Sequence, residues 1–99
     1  MFAIIYEFDV NTTNSESFLE TWHTLTLRVK TLSESAGSIL HKLNDTTWVA
    51  YASWPSKDSW EQSDLNQAEM VRLREQLLSL CDDIRIVYQL DVVNDLISS

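Results

Sequence analysis

The feature that most limits what this chain can fold into is a hydrophobic period that switches between two and three-to-four along its length. Residues 2 to 10, "FAIIYEFDV", alternate: Phe2, Ile4, Tyr6, Phe8 and Val10 share one parity, and Ala3, Ile5, Glu7 and Asp9 the other. That is the signature of a strand. From 14 to 34 the period lengthens, and Phe18, Trp22, Leu25, Val29 and Leu32 form one helical stripe. "SILHKL" (38 to 43) and "TWVAYASW" read as strands on either side of the polar turn "NDTT" (44 to 47). A short helix at 57 to 62 and a longer one at 65 to 81 follow, the latter with Met70, Leu73, Leu77 and Leu80 or Cys81 as its stripe. "IRIVYQLDVV" (84 to 93) is the last strand.

The order β-α-β-β-α-β predicts one α+β domain over residues 1 to 99. Two β-α-β halves joined by a hairpin make a ferredoxin-like layout, a four-stranded antiparallel sheet with its helices on one face. The bare face would still carry Ala3, Ile5, Val49, Tyr51, Val87 and Val93 or their parity mates. An apolar sheet face needs a cover, and a second copy of the chain is the simplest one. A homodimer packed sheet to sheet is therefore expected.

Local signals refine the boundaries. Thr13 with Glu16 has capping-box spacing, as does Asp64 with Gln67, and Ser56 stands where a cap for the short helix belongs. Gly37, the only glycine, marks a backbone conformation that other residues resist. The tail "NDLISS" (94 to 99) either hangs free or docks.

Charge narrows the partners. Acidic residues outnumber basic ones 15 to 7, for a net charge of −8. The bases are scattered, so neither nucleic acid nor an anionic membrane is an expected partner. No apolar run approaches the roughly 20 residues that span a bilayer, and "MFAIIYEFDV" lacks the basic start of a signal peptide. A cytoplasmic location is expected. Cys81 is the single cysteine, which excludes an intrachain disulfide and a multi-cysteine metal site. No nucleophile triad, phosphate loop, dinucleotide fingerprint or metal-ligand spacing occurs. Any chemistry is thus expected to proceed without a cofactor or metal.

Strand one written "IIYEFDV", the Phe18–Trp22 pair, Gly37 before strand two, and the passage "YASWPSKDSW" (Trp54, Ser56, Lys57, Trp60) together resemble the antibiotic biosynthesis monooxygenase-type dimeric α/β barrels. The resemblance runs from about residue 2 to 93. It implies a pocket between sheet and helices with Trp54 as a wall, and a cofactor-independent oxygenation of an aromatic substrate. Relatives of this type also include haem-degrading enzymes. Tyr6 stands near the position where those carry an asparagine, and residues 56 to 83 contain no histidine to serve as an axial ligand.

Each candidate residue has a plain alternative. Trp54 suits core packing at a strand end or a wall that stacks on a planar ligand. Trp22, Phe18 and Met70 sit on helix stripes, where packing and pocket lining look alike in sequence. Trp60 reads as packing or as dimer rim. Tyr6 combines an aromatic body with a hydroxyl donor. His41, mid-strand, and His23, beside Trp22, are core or surface histidines, or else the base that removes a phenolic proton, since imidazole exchanges protons near neutrality. Two functions follow. One is a cofactor-free monooxygenase acting on a quinol or phenol, with His41, His23 and Tyr6 as catalytic groups. The other is a non-catalytic dimeric barrel, either a binder of a small molecule (an aromatic one among the candidates) or a protein whose role lies in its partner.

Overall fold

The computed structural model describes residues 1–97. Its elements are β1 (Phe2–Asp9), a single 3-10 turn (Thr12–Asn14), α1 (Ser15–Leu32), β2 (Gly37–Lys42), β3 (Thr47–Trp54), α2 (Lys57–Glu61), α3 (Ala68–Leu80) and β4 (Asp83–Asp91). The strands lie in the order β2-β3-β1-β4, and every neighbouring pair is antiparallel. This is the ferredoxin-like α+β arrangement that the periodicities predict, with the sheet open rather than closed into a barrel.

Register explains the core. On the helix-covered face Phe2 pairs with Trp54, Ile4 with Ala52, Tyr6 with Ala50 and Phe8 with Trp48. Phe2, Ile4, Phe8, Trp48, Ala50 and Trp54 are all buried there. One cluster joins Phe8, Val10, Phe18, Trp48, Ala50 and Leu77; the other joins Phe2, Ile4 and Trp54. Tyr6 packs against both. Phe18 is wholly buried, its ring 5.3 Å from that of Phe8 and 5.7 Å from that of Trp48.

The face without helices is graded along the strands. Ile39, Tyr51, Ile5 and Tyr88 pair in sequence from strand to strand, forming an apolar row across the whole sheet. Ser53, Ala3 and Leu90 form a second row beside it. Toward the other end stand Glu7 and Arg85, then Asp9 and Asp83. A register shift between Ile5 and Tyr6 on the β4 side leaves Val87 unpaired, so the parity of β4 inverts there. The strict alternation expected through residue 93 therefore fails, and β4 ends at Asp91. Beyond it Val93, Leu96 and Ile97 are exposed and carry no regular structure. The last two residues of the tail, Ser98 and Ser99, lie outside the described residues.

The caps differ in part from expectation. Ser56 and Ser59 form the reciprocal box at α2. The Thr13–Glu16 box does not form. Asn11 Oδ1 instead accepts from both the backbone N–H and the hydroxyl of Thr13, starting the 3-10 turn. Asp64 accepts from the Asn66 N–H and shapes a turn before Ala68, rather than capping a helix at 65. Gly37 takes φ 108°, a value L side chains resist, as the chain enters β2.

Arg85 binds Glu7 at 2.8 Å, Asp9 at 2.8 Å, and Asp83. The Arg85 guanidinium holds the Asp9 carboxyl below its ordinary range, chiefly by hydrogen bonding. A depressed carboxylate pKa stabilises the fold above the ordinary value and loses that contribution as pH falls through the folded one. The thermal midpoint should accordingly fall more steeply below about pH 4 in the wild type than in Asp9→Asn. Circular dichroism melts at low salt check this, and parallel curves would contradict it. The cluster is solvent-accessible, so the effect is small and screened by salt.

Candidate functional site

Between the sheet and the helices lies a cavity of about 390 Å³. Its origin is the large–small alternation of β3. Trp48, Ala50, Ala52 and Trp54 share the helix-covered parity, and the two alanines leave a hollow beside Trp54, while Trp48 is packed into the core outside it. Trp54 closes one end of the sheet side of this hollow, where the chain turns at Pro55 into α2. Trp22, Leu25 and Val29 of α1 line another side, and Met70, Arg74 and Leu77 of α3 a third. Trp60 of α2 and Tyr6 of β1 complete an aromatic wall.

The wall carries several polar side chains, Thr26 and Arg74 among them. The hydroxyls of Ser35, Ser38 and Ser63 already donate to the carbonyl oxygens of Ser53, Tyr51 and Trp60. Tyr6 stands apart. Burial pushes its phenol above the ordinary tyrosine value, and a hydrogen bond from Trp60 pulls the other way with smaller effect. Tyr6 is therefore a neutral O–H donor across the physiological range. No Asp, Glu or His lines the cavity among the described residues.

Four of the residues singled out from sequence meet here: Tyr6, Trp22, Trp54 and Met70. Phe18 does not. It is sealed into the core behind Phe8 and Trp48, because its place on the α1 stripe points it to the far end of the sheet from Trp54. His41 pairs with Val49 on the bare face, and its Nδ1 lies 3.2 Å from the Val49 carbonyl oxygen. His23 is exposed on α1, beside a separate groove with Glu20 and Trp48. Neither imidazole lines the cavity, so the role of base assigned to them lacks geometric support. The Cys81 thiol is pushed up to about 11, chiefly by burial, and stays protonated at neutral pH. No group of three or more His, Cys, Asp or Glu is placed to hold a metal ion among the described residues.

Trp60 and Arg74 are among the lining residues that sequence reasoning did not assign to the pocket. Trp60 follows Trp54 by one strand end and one helical turn, but its sequence position reads as packing or dimer rim. Arg74 had a usable signal. Its neighbours one turn away on α3 are Met70, Val71, Leu77 and Leu78, so it projects from an apolar stretch of helix.

No protein-family model and no curated protein matches the chain. Solved structures do. SnoaB, a cofactor-independent oxygenase from Streptomyces nogalater, superposes with a TM-score of 0.77 at 16% identity, covering 96% of this chain and 95% of that one. A protein named antibiotic biosynthesis monooxygenase gives a TM-score of 0.75 at 14% identity over 95% of this chain and all (100%) of the other. Rv0793 from Mycobacterium tuberculosis gives 0.75 at 10% identity, covering 96% and 97%. The chain has the fold of the antibiotic biosynthesis monooxygenase type. No helix among the described residues is long and apolar enough to cross a membrane.

Proposed function

We propose that this protein is a cytoplasmic, homodimeric monooxygenase that oxidises a small electron-rich aromatic of the phenol or quinol kind with O₂ and no cofactor. The observation that carries the reading is the cavity itself: an apolar hollow of about 390 Å³ with indoles from three different elements and one neutral phenol on its wall. That volume suits a fused-ring guest, and pockets of this kind hold small ligands mainly by apolar and aromatic contact. The structural neighbours named as oxygenases support the reaction class.

The chemistry asks little of the protein. A doubly activated ring methylene loses a proton, and the resulting anion gives an electron to O₂. Overall the methylene and O₂ become a carbonyl and water: one oxygen enters the product, the other leaves as water, and carbon supplies four electrons. Trp22, Trp54 and Trp60 would hold the ring system, and Tyr6 would donate to its oxyanion. The apolar lining would limit hydration of the carbanion. With no carboxylate or imidazole on the wall among the described residues, the proton would pass to solvent rather than to a side chain. That same feature favours the second reading, a protein that binds such a guest without turning it over.

The dimer rests on the bare face. Its apolar row of Ile39, Tyr51, Ile5 and Tyr88 is more than an isolated sheet needs to expose.

Incubation with a panel of hydroxyanthrones and naphthols under ¹⁸O₂ tests the reaction. The expected result is one labelled oxygen in the product, formed faster than by autoxidation without protein. Trp54→Phe, which keeps the site apolar but narrows its wall, should lower kcat/KM about tenfold. Saturable binding of panel members with no acceleration would leave the binding reading and remove the enzymatic one.

A further inference from the structure

The cavity has a charge preference that its apolar lining conceals. The protein carries 15 acidic residues against 7 basic. Yet among the described residues none of the acids lines the cavity, and one of the bases, Arg74, does. Arg28, Lys42, Lys57 and Arg85 are engaged by Glu69, Asp45, Glu61 and the Glu7–Asp9–Asp83 group. Arg74 has no carboxylate partner among the described residues, although it is partly buried. Its own helix cannot supply one, because all four residues one turn away are apolar. An arginine on an apolar wall without a carboxylate partner has no fixed counter-charge, and an anion in the cavity placed against it would supply one.

The remaining polar groups point the same way. The serine hydroxyls of the wall spend their donors on backbone carbonyls. Tyr6 is held neutral and offers an O–H. The wall thus presents donors and one fixed positive charge, with no carboxylate to oppose a negative guest.

We infer that the natural ligand is an aromatic anion, its rings against Trp22, Trp54 and Trp60 and its charged oxygen paired with Arg74. This rests on the reading of the cavity as an aromatic-binding site and adds the ligand's charge. It also accounts for a site without a base: a guest that arrives ionised has already given up its most acidic proton.

Tryptophan-fluorescence titration with 2-naphthoate and 2-naphthamide, two probes of nearly equal shape and different charge, separates the possibilities. The expected result is binding of the naphthoate about tenfold tighter than the naphthamide. Arg74→Gln should abolish that preference by weakening naphthoate binding far more than naphthamide binding, and Arg74→Lys should restore part of it. Arg72→Gln, an exposed arginine away from the cavity, should change neither. Equal affinities in the wild type, or a preference that survives Arg74→Gln, would overturn the inference while sparing the cavity. Absence of saturable quenching by either probe would remove the aromatic-site reading, and this inference with it.

Discussion

Phe18→Ala will destabilise the protein by about 3–5 kcal/mol, the range for truncating a fully buried phenylalanine. The ring is enclosed by Phe8 of β1, Trp48 of β3 and the rest of the larger core cluster. Its removal takes apolar area out of the interior and leaves a void that two large neighbouring rings cannot collapse to fill. Against a total of about 5–15 kcal/mol for a domain of this class, that is a large share, and the melting temperature should fall by more than about 10 °C. Urea denaturation measures it. Phe18→Leu should cost far less. A loss below about 1 kcal/mol for Phe18→Ala would mean that Phe18 borders open space after all, as a pocket residue would.

Tyr51→Glu will dissociate the proposed dimer. Tyr51 stands mid-sheet, between Ile39 and Ile5 in the apolar row of the bare face. Two copies packed face to face would bury a carboxylate there against apolar groups, and the penalty for an unpaired buried charge is several kcal/mol. The dissociation constant should rise at least about 100-fold, read by sedimentation equilibrium. The monomer should keep its fold, because the substituted side chain faces away from both core clusters. A wild-type protein that sediments as a monomer at micromolar concentration would contradict the argument from the two-faced sheet.

These two residues also show what the sequence carries plainly and what it does not. The alternation of β1 and β3 showed which residues share a face, and the structure places the parity of Phe8 and Trp48 on the helix-covered side. The bulge at Val87 left no trace in the pattern, since β4 is apolar on both sides of it. Helix stripes identify a buried side but not how far along the sheet each residue sits. Phe18 and Trp22 are one turn apart on the same stripe, yet only Trp22 reaches the cavity. His41 illustrates the same gap in a strand. Its parity with Ile39 was legible, but whether that parity meets helices or the bare face depended on pairing with β3. The hollow itself comes from alanines, which announce nothing locally. The apolar neighbours of Arg74 on α3 were legible, but its lack of a carboxylate partner among the described residues depends on the whole surface around it.

The most direct test of the central claim, that the cavity holds a planar aromatic guest, is a two-dimensional nitrogen–proton NMR titration of the indole N–H groups with 2-naphthoate. The chain has 4 tryptophans. Trp22, Trp54 and Trp60 line the cavity, whereas Trp48 is buried outside it with its N–H lacking an acceptor among the described residues. The account predicts that the resonances of Trp22, Trp54 and Trp60 shift together and saturate at one guest per chain, while that of Trp48 stays in place. Shifts led by Trp48, or none at all, would contradict it.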